Sequence, residues 1–433
     1  MSASVKSLYV IDPALTERRG HMYNIAVGLA DTARRAGLDC RIFANRLFRP
    51  EPQEEPFLIP LFTETTLTTE PSTSLAWKYL NLNRLFLRHL KELSAQYDFR
   101  DSIVVFPTAN QLLIDAIQRW NVSLPPGNRT TMIVSLMLQA GVLFESETEF
   151  VVKDLEMANV YRTGLAGFAR PGQENCVLCS NTESIIRAYS ALYGGPIRFH
   201  PTLCGTPDPR YLLEGRAARQ GRRPQVVLYI GEIKPDKGFH LVPDVLTQAL
   251  ERGLPADYFI QIHGVEGYRI RFAAEIERIR ELAAANPNVR VVEGFLSCED
   301  YYRTVSSAGA FVLPYDSEIY RDMSSGVLME ALYYDAPVVV PTASWMDVES
   351  KAYKAGRVTF ERMEAGEITD ALARLLEEHP EHAARSAEAG QRYRDANGFD
   401  RFLDVAMEWH SEPRPERTPI GDPGRMAWQP IFA

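Results

Sequence analysis

The 433-residue sequence has few cysteines, no long uncharged run and no surplus of basic residues, and each shortage excludes a class of protein. Five cysteines are too few and too scattered for a disulfide framework, and an odd number leaves one of them unpaired. The longest uncharged run, residues 130–144, is shorter than the roughly 20 residues that a membrane-spanning helix needs. The first residues lack the apolar stretch of a signal peptide, so we expect a cytoplasmic protein.

The formal net charge of −9 argues against nucleic acid as the main partner, because a phosphate backbone repels a negative surface. The densest basic stretch lies within the first 50 residues. This local surplus suggests peripheral contact with the anionic inner face of a membrane. In the same stretch, Arg18 and Arg19 precede a predicted helix and could meet a diphosphate or an anionic acceptor. An ordinary solvated position explains both arginines at least as well.

Motifs for several cofactors and nucleophiles are also missing. The sequence has no G-x-G-x-x-G for a nicotinamide cofactor, no P-loop, no H-E-x-x-H and no G-x-S-x-G. It has no D-x-D pair either, and closely spaced carboxylates of that kind commonly hold Mg²⁺ beside a diphosphate. The one C-x-x-C, Cys176 and Cys179, has no second pair and falls in a predicted strand. We therefore expect no metal site and no cofactor, and a bound diphosphate would contact lysines, backbone N–H groups and helix dipoles.

Strand-like and helix-like segments alternate almost from end to end, the pattern of parallel sheets with crossover helices. The first series of predicted strands is 5–12, 40–45, 102–107, 131–138 and 176–181. Between the later ones we predict helices over 75–97, 109–120, 151–169 and 182–193. A second series of strands is predicted at 225–231, 258–264, 289–294, 310–315 and 336–341. The fold class is therefore α/β, with two doubly wound Rossmann-like domains facing a cleft.

The predicted domain boundaries follow from these two series. Residues 1–204 form an acceptor-side domain, residues 205–400 a nucleotide-sugar-binding domain, and residues 401–433 a helix and tail that could dock back on the first domain. The Pro-, Gly- and Arg-rich stretch 200–224 is predicted to be the linker. Residues 47–75 contain many prolines and glutamates, which predicts a long surface excursion, either a tolerated insertion or a substrate lid. In the tail, Trp428 and Phe432 could pack on the body.

Two segments of the second series carry polar groups suited to an anion. After the strand QVVLYI, the chain continues GEIKPDKG, so Lys234 and Lys237 lie in a turn between Gly231 and Gly238. A basic residue near the start of a helix is unfavourable because the helix dipole is positive there. We therefore favour an anion-binding site at this turn over an ordinary solvent-exposed loop.

The second segment follows the strand AFVLPY. A helix is predicted to begin near Ser324 or Ser325, with serine as its cap and Gly326 permitting close approach of the backbone to a ligand. Glu330 falls in the first two turns of this helix. Taken alone, Glu330 is better explained as an exposed helical acid. Because Glu330 follows a Ser-Ser-Gly helix start and precedes the strand-like APVVVP, the context favours a role in ligand binding.

Over most of its length the sequence resembles the retaining glycosyltransferases of the GT-B fold, specifically family 4. Their second domain has G-R-L-x-x-x-K-G after its first strand, then two acids eight residues apart, followed by E-A-x-x-x-G-x-P-V-V. The matching residues here are Gly231, Lys237, Gly238, Asp322, Gly326, Glu330, Ala331, Pro337, Val338 and Val339. Three positions depart from the family pattern: Glu232 replaces the arginine, Asp322 the first glutamate and Asp335 the glycine after the helix.

The resemblance implies that this chain binds a nucleoside-diphosphate sugar such as a UDP- or GDP-sugar. Lys237 and Asp322 would be its catalytic residues, with Lys237 on the diphosphate and Asp322 on hydroxyls of the transferred sugar. Glu330 would bind the ribose, and Lys234 would substitute for the missing arginine. The other implied donor contacts are Gly20 in the turn after the first strand, Phe295 and Leu296 against the nucleobase, and the backbone of Ser325, Gly326 and Val327 at the distal phosphate.

Many family members bring a histidine from the first domain to the reacting sugar, but this sequence has none between His89 and His200. A retaining transfer in which the departing phosphate accepts the proton of the acceptor hydroxyl needs no strong protein base. The acceptor could be a glycan, a lipid-linked molecule or a small molecule. Two alternatives remain open: a same-fold epimerase, hydrolase or phosphorylase, and a non-catalytic subunit that binds a nucleotide sugar.

Overall fold

The computed structural model describes residues 5–18, 20–51, 55–66, 74–125, 130–144, 149–205 and 208–413. These residues divide into two compact units. The first unit takes its described residues from Met1–Arg18, Ile25–Pro201 and Phe402–Ala433, and the second from Arg19–Asn24 and Thr202–Arg401. Each unit contains one parallel sheet with its own hydrophobic core.

The first unit alternates strands and helices. Its elements, in chain order, are β1 (Ser7–Ile11), α1 (Gly20–Arg35), β2 (Asp39–Asn45), β3 (Leu58–Phe62), α2 (Leu75–Gln96), β4 (Ser102–Ala109), α3 (Ile114–Ser123), β5 (Thr131–Leu136), β6 (Val142–Phe144), β7 (Phe150–Val152), α4 (Leu155–Ala166), β8 (Cys176–Ser180), α5 (Glu183–Tyr193) and β9 (Arg198–Phe199).

Seven of these strands form a parallel sheet in the order β3-β2-β1-β4-β5-β8-β9. The central strands β4 and β5 are buried along almost their whole length, which explains why they appear in the sequence as continuous apolar runs. The two remaining strands, β6 and β7, pair with each other as a short antiparallel ribbon.

The second unit follows the same plan. Its elements are α6 (Arg210–Arg219), β10 (Gln225–Tyr229), α7 (Val242–Glu251), β11 (Asp257–Ile262), α8 (Glu266–Arg271), α9 (Ala273–Ala285), β12 (Val289–Glu293), α10 (Cys298–Ser307), β13 (Ala310–Val312), α11 (Gly326–Tyr333), β14 (Val338–Pro341), α12 (Trp345–Ala352), β15 (Arg357–Phe360), α13 (Ala365–Glu377) and α14 (His379–Ala396). The last helix, α15 (Phe399–Ser411), ends in the first unit.

The sheet of the second unit is also parallel, in the order β12-β11-β10-β13-β14-β15. Its strand order reverses at β10 and β13, and the crevice outside the carboxyl ends of such neighbouring strands is where open α/β sheets bind ligands. The loops that follow β10 and β13 hold the two motifs identified in the sequence.

The α/β class with two doubly wound parallel sheets is confirmed. One local prediction was wrong: the predicted surface excursion contains β3, which pairs with β2 as a member of the first sheet. The stretch predicted as linker contains α6. Trp428 and Phe432 lie outside the described residues. The boundaries at residues 204 and 400 stay predictions.

Two further findings concern function. None of the helices in the described ranges is both long enough and apolar enough to cross a membrane. All five cysteines are free thiols, and Cys176 and Cys179 are both buried in β8. The Cys179 thiol donates to the carbonyl of Val134 at 3.5 Å, and no group of three or more metal-binding side chains occurs within the described part of the chain.

Candidate functional site

A buried tyrosine hydroxyl shapes the turn after β10. The Tyr229 hydroxyl donates to the carbonyl of Glu232 at 2.8 Å and accepts the backbone N–H of Lys234 at 3.1 Å. A second brace comes from Gln261, which accepts the N–H of Gly231 at 3.2 Å and donates to the carbonyl of Gly294 at 3.0 Å. These two side chains fix the backbone of the loops after β10 and β12 at the carboxyl edge of the sheet.

The two lysines of this turn have different surroundings. The ammonium of Lys234 lies 2.9 Å from the Glu232 carboxylate, and each side chain is about one-third exposed. Burial alone would lower the pKa of Lys234, but the hydrogen bond and charge of Glu232 outweigh it, so this pKa is raised. The acid that replaces the family arginine therefore neutralises the lysine that we expected to substitute for that arginine.

Lys237 makes no ion pair or hydrogen bond with any described residue. Its Nζ atom lies 5.7 Å from the centroid of the Tyr315 ring, and a Cβ placed on Gly231 would lie 3.5 Å from it. Burial lowers the pKa of Lys237, and the positive charge of Lys234 lowers it further. The site thus holds a partly buried ammonium group without a counter-ion, which is an unfavourable arrangement unless an anion binds there.

The loop that carries Lys237 is joined to the loop after β13. Gly238 has φ +68°, and a Cβ at this position would collide with the carbonyl oxygen of Pro314, so both its conformation and its close approach require glycine. The N–H of Asp316 donates to the carbonyl of Asp236 at 2.8 Å, and the Tyr320 hydroxyl donates to the carboxylate of Asp236 at 3.4 Å. The two sequence motifs therefore form one structural unit.

The second motif ends at the N-terminus of α11. Ser325 is 3% exposed, and its hydroxyl accepts the N–H of Leu328 at 3.3 Å, which confirms the predicted serine cap. The Tyr315 hydroxyl hydrogen-bonds Ser325, so a single ring contacts both the Lys237 ammonium and the helix cap. Gly326 is exposed, and a Cβ there would meet no described atom within 4 Å. The side chain of Val327 is buried.

Glu330 lies one turn further along α11. Its Oε2 atom is buried and has no hydrogen-bond partner among the described residues. Burial raises the pKa of Glu330 to about 7, although the hydroxyl of Tyr301 on α10 hydrogen-bonds the carboxylate and offsets part of the shift. A buried polar atom without a partner is costly, and ligand hydroxyl groups would satisfy it.

The loop after β12 supplies an aromatic surface. Phe295 is 51% exposed, and its ring lies 4.5 Å from that of His263, with the two planes inclined by 37°. Leu296 is partly buried against the core beside α11. A half-exposed aromatic side chain therefore lies in the loop between β12 and α10, the helix that contains Tyr301.

The two remaining departures from the family pattern have different environments. Asp322 follows a short 3-10 helix, and its carboxylate lies 3.6 Å from the guanidinium of Arg321. Asp335 has φ +63°, the conformation that glycine favours, and it is 5% exposed. Its carboxylate lies 2.7 Å from both Arg216 of α6 and Arg394 of α14. Asp335 therefore holds helices together and takes no part in the site.

Three residues near the start of the chain were also predicted as contacts for the donor or for an anionic acceptor. Gly20 begins α1 with φ +73°, and a Cβ at this position would meet no described atom within 4 Å. Arg18 forms ion pairs with Glu51 and with Glu55, the latter at 2.6 Å, so it is not available to a diphosphate. Arg19 lies outside the described residues.

Several residues of the site were missed in the sequence. They are Tyr229, Gln261, His263, Tyr301 and Tyr315. A signal existed for some of them, since Gln261 and His263 are polar residues at the end of the apolar run YFIQIHG, and Tyr315 ends the run AFVLPY. Polar residues at strand carboxyl ends are where α/β sheets place their ligand contacts.

A scan against protein-family models gave no match, and a search of the curated proteins gave none either. Similar solved structures do exist. Sucrose-phosphate synthase from Thermosynechococcus elongatus is 16% identical, with a TM-score of 0.62 over 93% of this chain and 97% of its own. A UDP-forming α,α-trehalose-phosphate synthase from Burkholderia vietnamiensis is 13% identical, with a TM-score of 0.64 over 94% and 99%. HepE from Anabaena, solved with UDP and glucose, is 13% identical, with a TM-score of 0.58 over 93% and 99%.

This chain has the GT-B fold, with two Rossmann-like domains. At such low identity the likeness shows the fold and leaves the activity to be argued from the site.

Proposed function

We propose that the protein is a glycosyltransferase that moves a sugar from a nucleoside-diphosphate sugar to an acceptor hydroxyl, with retained anomeric configuration and without a metal ion. The observation that carries this proposal is the joining of two unsatisfied groups in one site. Among the described residues, the Lys237 ammonium has no ion-pair partner, and Glu330 on α11 has a buried oxygen without a hydrogen-bond partner. Tyr315 links the two, because its ring lies 5.7 Å from the Lys237 Nζ atom and its hydroxyl hydrogen-bonds Ser325, the cap of the helix that carries Glu330.

Each part of the donor has a corresponding group. The distal phosphate would accept the N–H groups at the start of α11, where Gly326 leaves open space and the helix dipole favours negative charge. The Lys237 ammonium would contact the same diphosphate. The ribose hydroxyls would donate to Glu330, and the nucleobase would pack on Phe295 beside His263. In this arrangement Asp322 is the acid that would bind hydroxyls of the transferred sugar.

The chemistry requires charge stabilisation more than a strong base. As the glycosidic bond to phosphate breaks, negative charge grows on the diphosphate, and Lys237 and the N–H groups of α11 would stabilise it. Two charge-assisted hydrogen bonds of about 1.5–3 kcal/mol each would together contribute about 3–6 kcal/mol. That amounts to roughly two to four powers of ten in rate. The departing phosphate can itself accept the proton of the acceptor hydroxyl, so the bond to the sugar forms on the face that the phosphate leaves.

A second candidate function has a specific observation in its favour. The Glu232 carboxylate neutralises Lys234, which leaves Lys237 as the single lysine of the turn without a counter-ion. A site with less positive charge stabilises a departing diphosphate less, and such a chain could bind a nucleotide sugar without transferring it.

Donor turnover distinguishes these functions. A thermal-shift screen of nucleoside diphosphates and their sugars would first identify the donor, because a ligand that binds only the folded state raises the melting temperature. Incubation of that donor with candidate acceptors would then yield a glycoside from a transferase, free sugar from a hydrolase, and unchanged donor from a binding subunit. Absence of any selective shift would contradict all three.

The metal-independent mechanism has its own test. Since lysine and backbone N–H groups are proposed to stabilise the diphosphate, transfer should continue at its full rate in excess EDTA. A strict requirement for Mg²⁺ would contradict the mechanism while leaving the donor assignment intact.

A further inference from the structure

The exposed face of α2 combines apolar and basic side chains in one line. Trp77 is 57% exposed and Leu80 is 67% exposed, and both lie near the start of the helix. Arg84, Arg88 and Lys91 follow at intervals of four, four and three residues and are exposed too. These spacings keep all five side chains on one side of the helix, and we call them the basic stripe.

The opposite side of α2 packs into the core of the first unit. Phe86, Leu90 and Leu93 are at most 1% exposed, and Asn83 is 2% exposed. The Asn83 amide also donates to the carbonyl of Gln111 and accepts the N–H of Ala116, so the helix cannot rotate without losing these bonds. The basic stripe is therefore held towards solvent by the packing of its own helix.

The cations of the basic stripe differ from most others of the first unit. Arg84, Arg88 and Lys91 form no ion pair with any residue in the described ranges. In the basic N-terminal stretch, Arg34 and Arg35 pair with Asp31, and Arg41 pairs with Asp39, whereas Arg46 and Arg49 form no ion pair with any described residue. Three cations without an ion pair therefore lie on one exposed face of α2, where no carboxylate is paired with them.

We infer that the basic stripe docks the protein on a membrane surface that contains anionic lipids. Lipid phosphates complement the three unpaired cations, and each cation near such a surface contributes favourably to binding. The exposed indole and isobutyl groups at one end of the stripe suit the boundary between headgroups and acyl chains. A second copy of the chain is a poorer partner, because symmetric pairing through this face would bring like charges together.

Vesicle sedimentation tests this inference with the full-length protein. Wild-type protein should bind vesicles of equal parts phosphatidylglycerol and phosphatidylcholine, and should not bind phosphatidylcholine vesicles measurably. Binding should weaken sharply in about 1 M salt, where charges are screened beyond about 3 Å. The triple variant Arg84→Ala, Arg88→Ala, Lys91→Ala should bind about a hundredfold more weakly, at about fivefold per lost charge. Trp77→Ala should weaken binding severalfold.

A matched control removes three equally exposed but ion-paired cations from the same unit. Arg34→Ala, Arg100→Ala, Arg119→Ala lowers the net charge by the same amount, and these residues pair with Asp31, Asp98 and Asp115. This variant should bind anionic vesicles nearly as well as wild type, and circular dichroism should show that both triple variants are folded. Failure of wild-type protein to bind anionic vesicles, or equal loss in both triple variants, would overturn the inference. A wild-type dimer in solution that dissociates in the α2 variant would also overturn it, in favour of a second copy.

Discussion

Both units present a cation in the loop after the first strand of their sheet, yet the two cations have opposite environments. In the first unit, Arg18 is held by Glu51 and by Glu55, which is only 5% exposed. In the second unit, Lys237 has no counter-ion in the described part of the chain and lies against the Tyr315 ring. The same kind of sequence feature is thus a structural ion pair in one place and a candidate ligand contact in the other.

The largest effect is expected from removing the uncompensated cation. Lys237→Ala should weaken the binding of a nucleoside diphosphate by roughly 10- to 150-fold, the equivalent of one charge-assisted hydrogen bond of about 1.5–3 kcal/mol. Isothermal titration calorimetry measures this directly. Arg18→Ala is the matched control and should leave the affinity unchanged while lowering the melting temperature, since it removes the guanidinium that pairs with the buried carboxylate of Glu55. Equal losses of affinity in both variants would remove the distinction between the two loops.

The next prediction concerns the open space at the start of α11. Gly326→Ala adds a methyl group that meets no described atom of the protein, so the melting temperature should stay within about 2 °C of wild type. If a phosphate approaches this backbone, the same methyl group should weaken diphosphate binding about tenfold. Unchanged affinity in a well-folded Gly326→Ala protein would place the phosphate elsewhere.

A comparable loss, with a distinctive pH dependence, is expected at Glu330. Burial raises its pKa to about 7, so the group gains a proton as the pH falls through 7 and can then accept fewer hydrogen bonds from ribose. The affinity of wild-type protein for a nucleoside should therefore fall below about pH 7. Glu330→Gln should bind about tenfold more weakly at pH 8 and show no such dependence.

Glu349 is the control for this titration, because burial raises its pKa to about 7 as well. Glu349→Gln should keep the pH dependence of wild-type binding. If Glu349→Gln abolishes the dependence and Glu330→Gln does not, the assignment of the ribose contact is wrong.

The smallest expected effect is an increase in affinity for a nucleoside diphosphate, in the Glu232→Gln variant. Glu232→Gln removes the carboxylate that lies 2.9 Å from the Lys234 ammonium and so releases a second cation to the diphosphate. Affinity for a nucleoside diphosphate should rise a few-fold, whereas affinity for the uncharged nucleoside should not change. Weaker binding of the diphosphate by Glu232→Gln would show that the ion pair positions Lys234 and does not compete with the ligand.

The sequence predicted the features that depend on local pattern. The apolar runs predicted ten of the thirteen described strands of the two sheets, and β3, β9 and β15 were not predicted. The helix cap was predicted at Ser324 or Ser325, because capping needs only a serine before an amphipathic segment, and it is Ser325. Lys237, Gly238 and Glu330 were singled out from the turn and the helix start that contain them, the family resemblance supplied their proposed roles, and all three lie in the joined loops or on α11.

Features that depend on distant contacts could not be predicted. The sequence shows that aspartate replaces glycine at 335, but not that Arg216 and Arg394 hold its carboxylate in the left-handed conformation. It shows the arginines of the N-terminal stretch but not their carboxylate partners. For the same reason it does not show that Arg84, Arg88 and Lys91 of α2 form no ion pair with any described residue.

A crystal structure with a bound nucleoside diphosphate tests the central claim most directly. We expect the distal phosphate to lie within about 3 Å of the Gly326 and Val327 N–H groups and of the Lys237 Nζ atom, the range of charge-assisted hydrogen bonds. Density for the nucleotide at any other part of the second unit, with Lys237 and α11 left untouched, would contradict the claim.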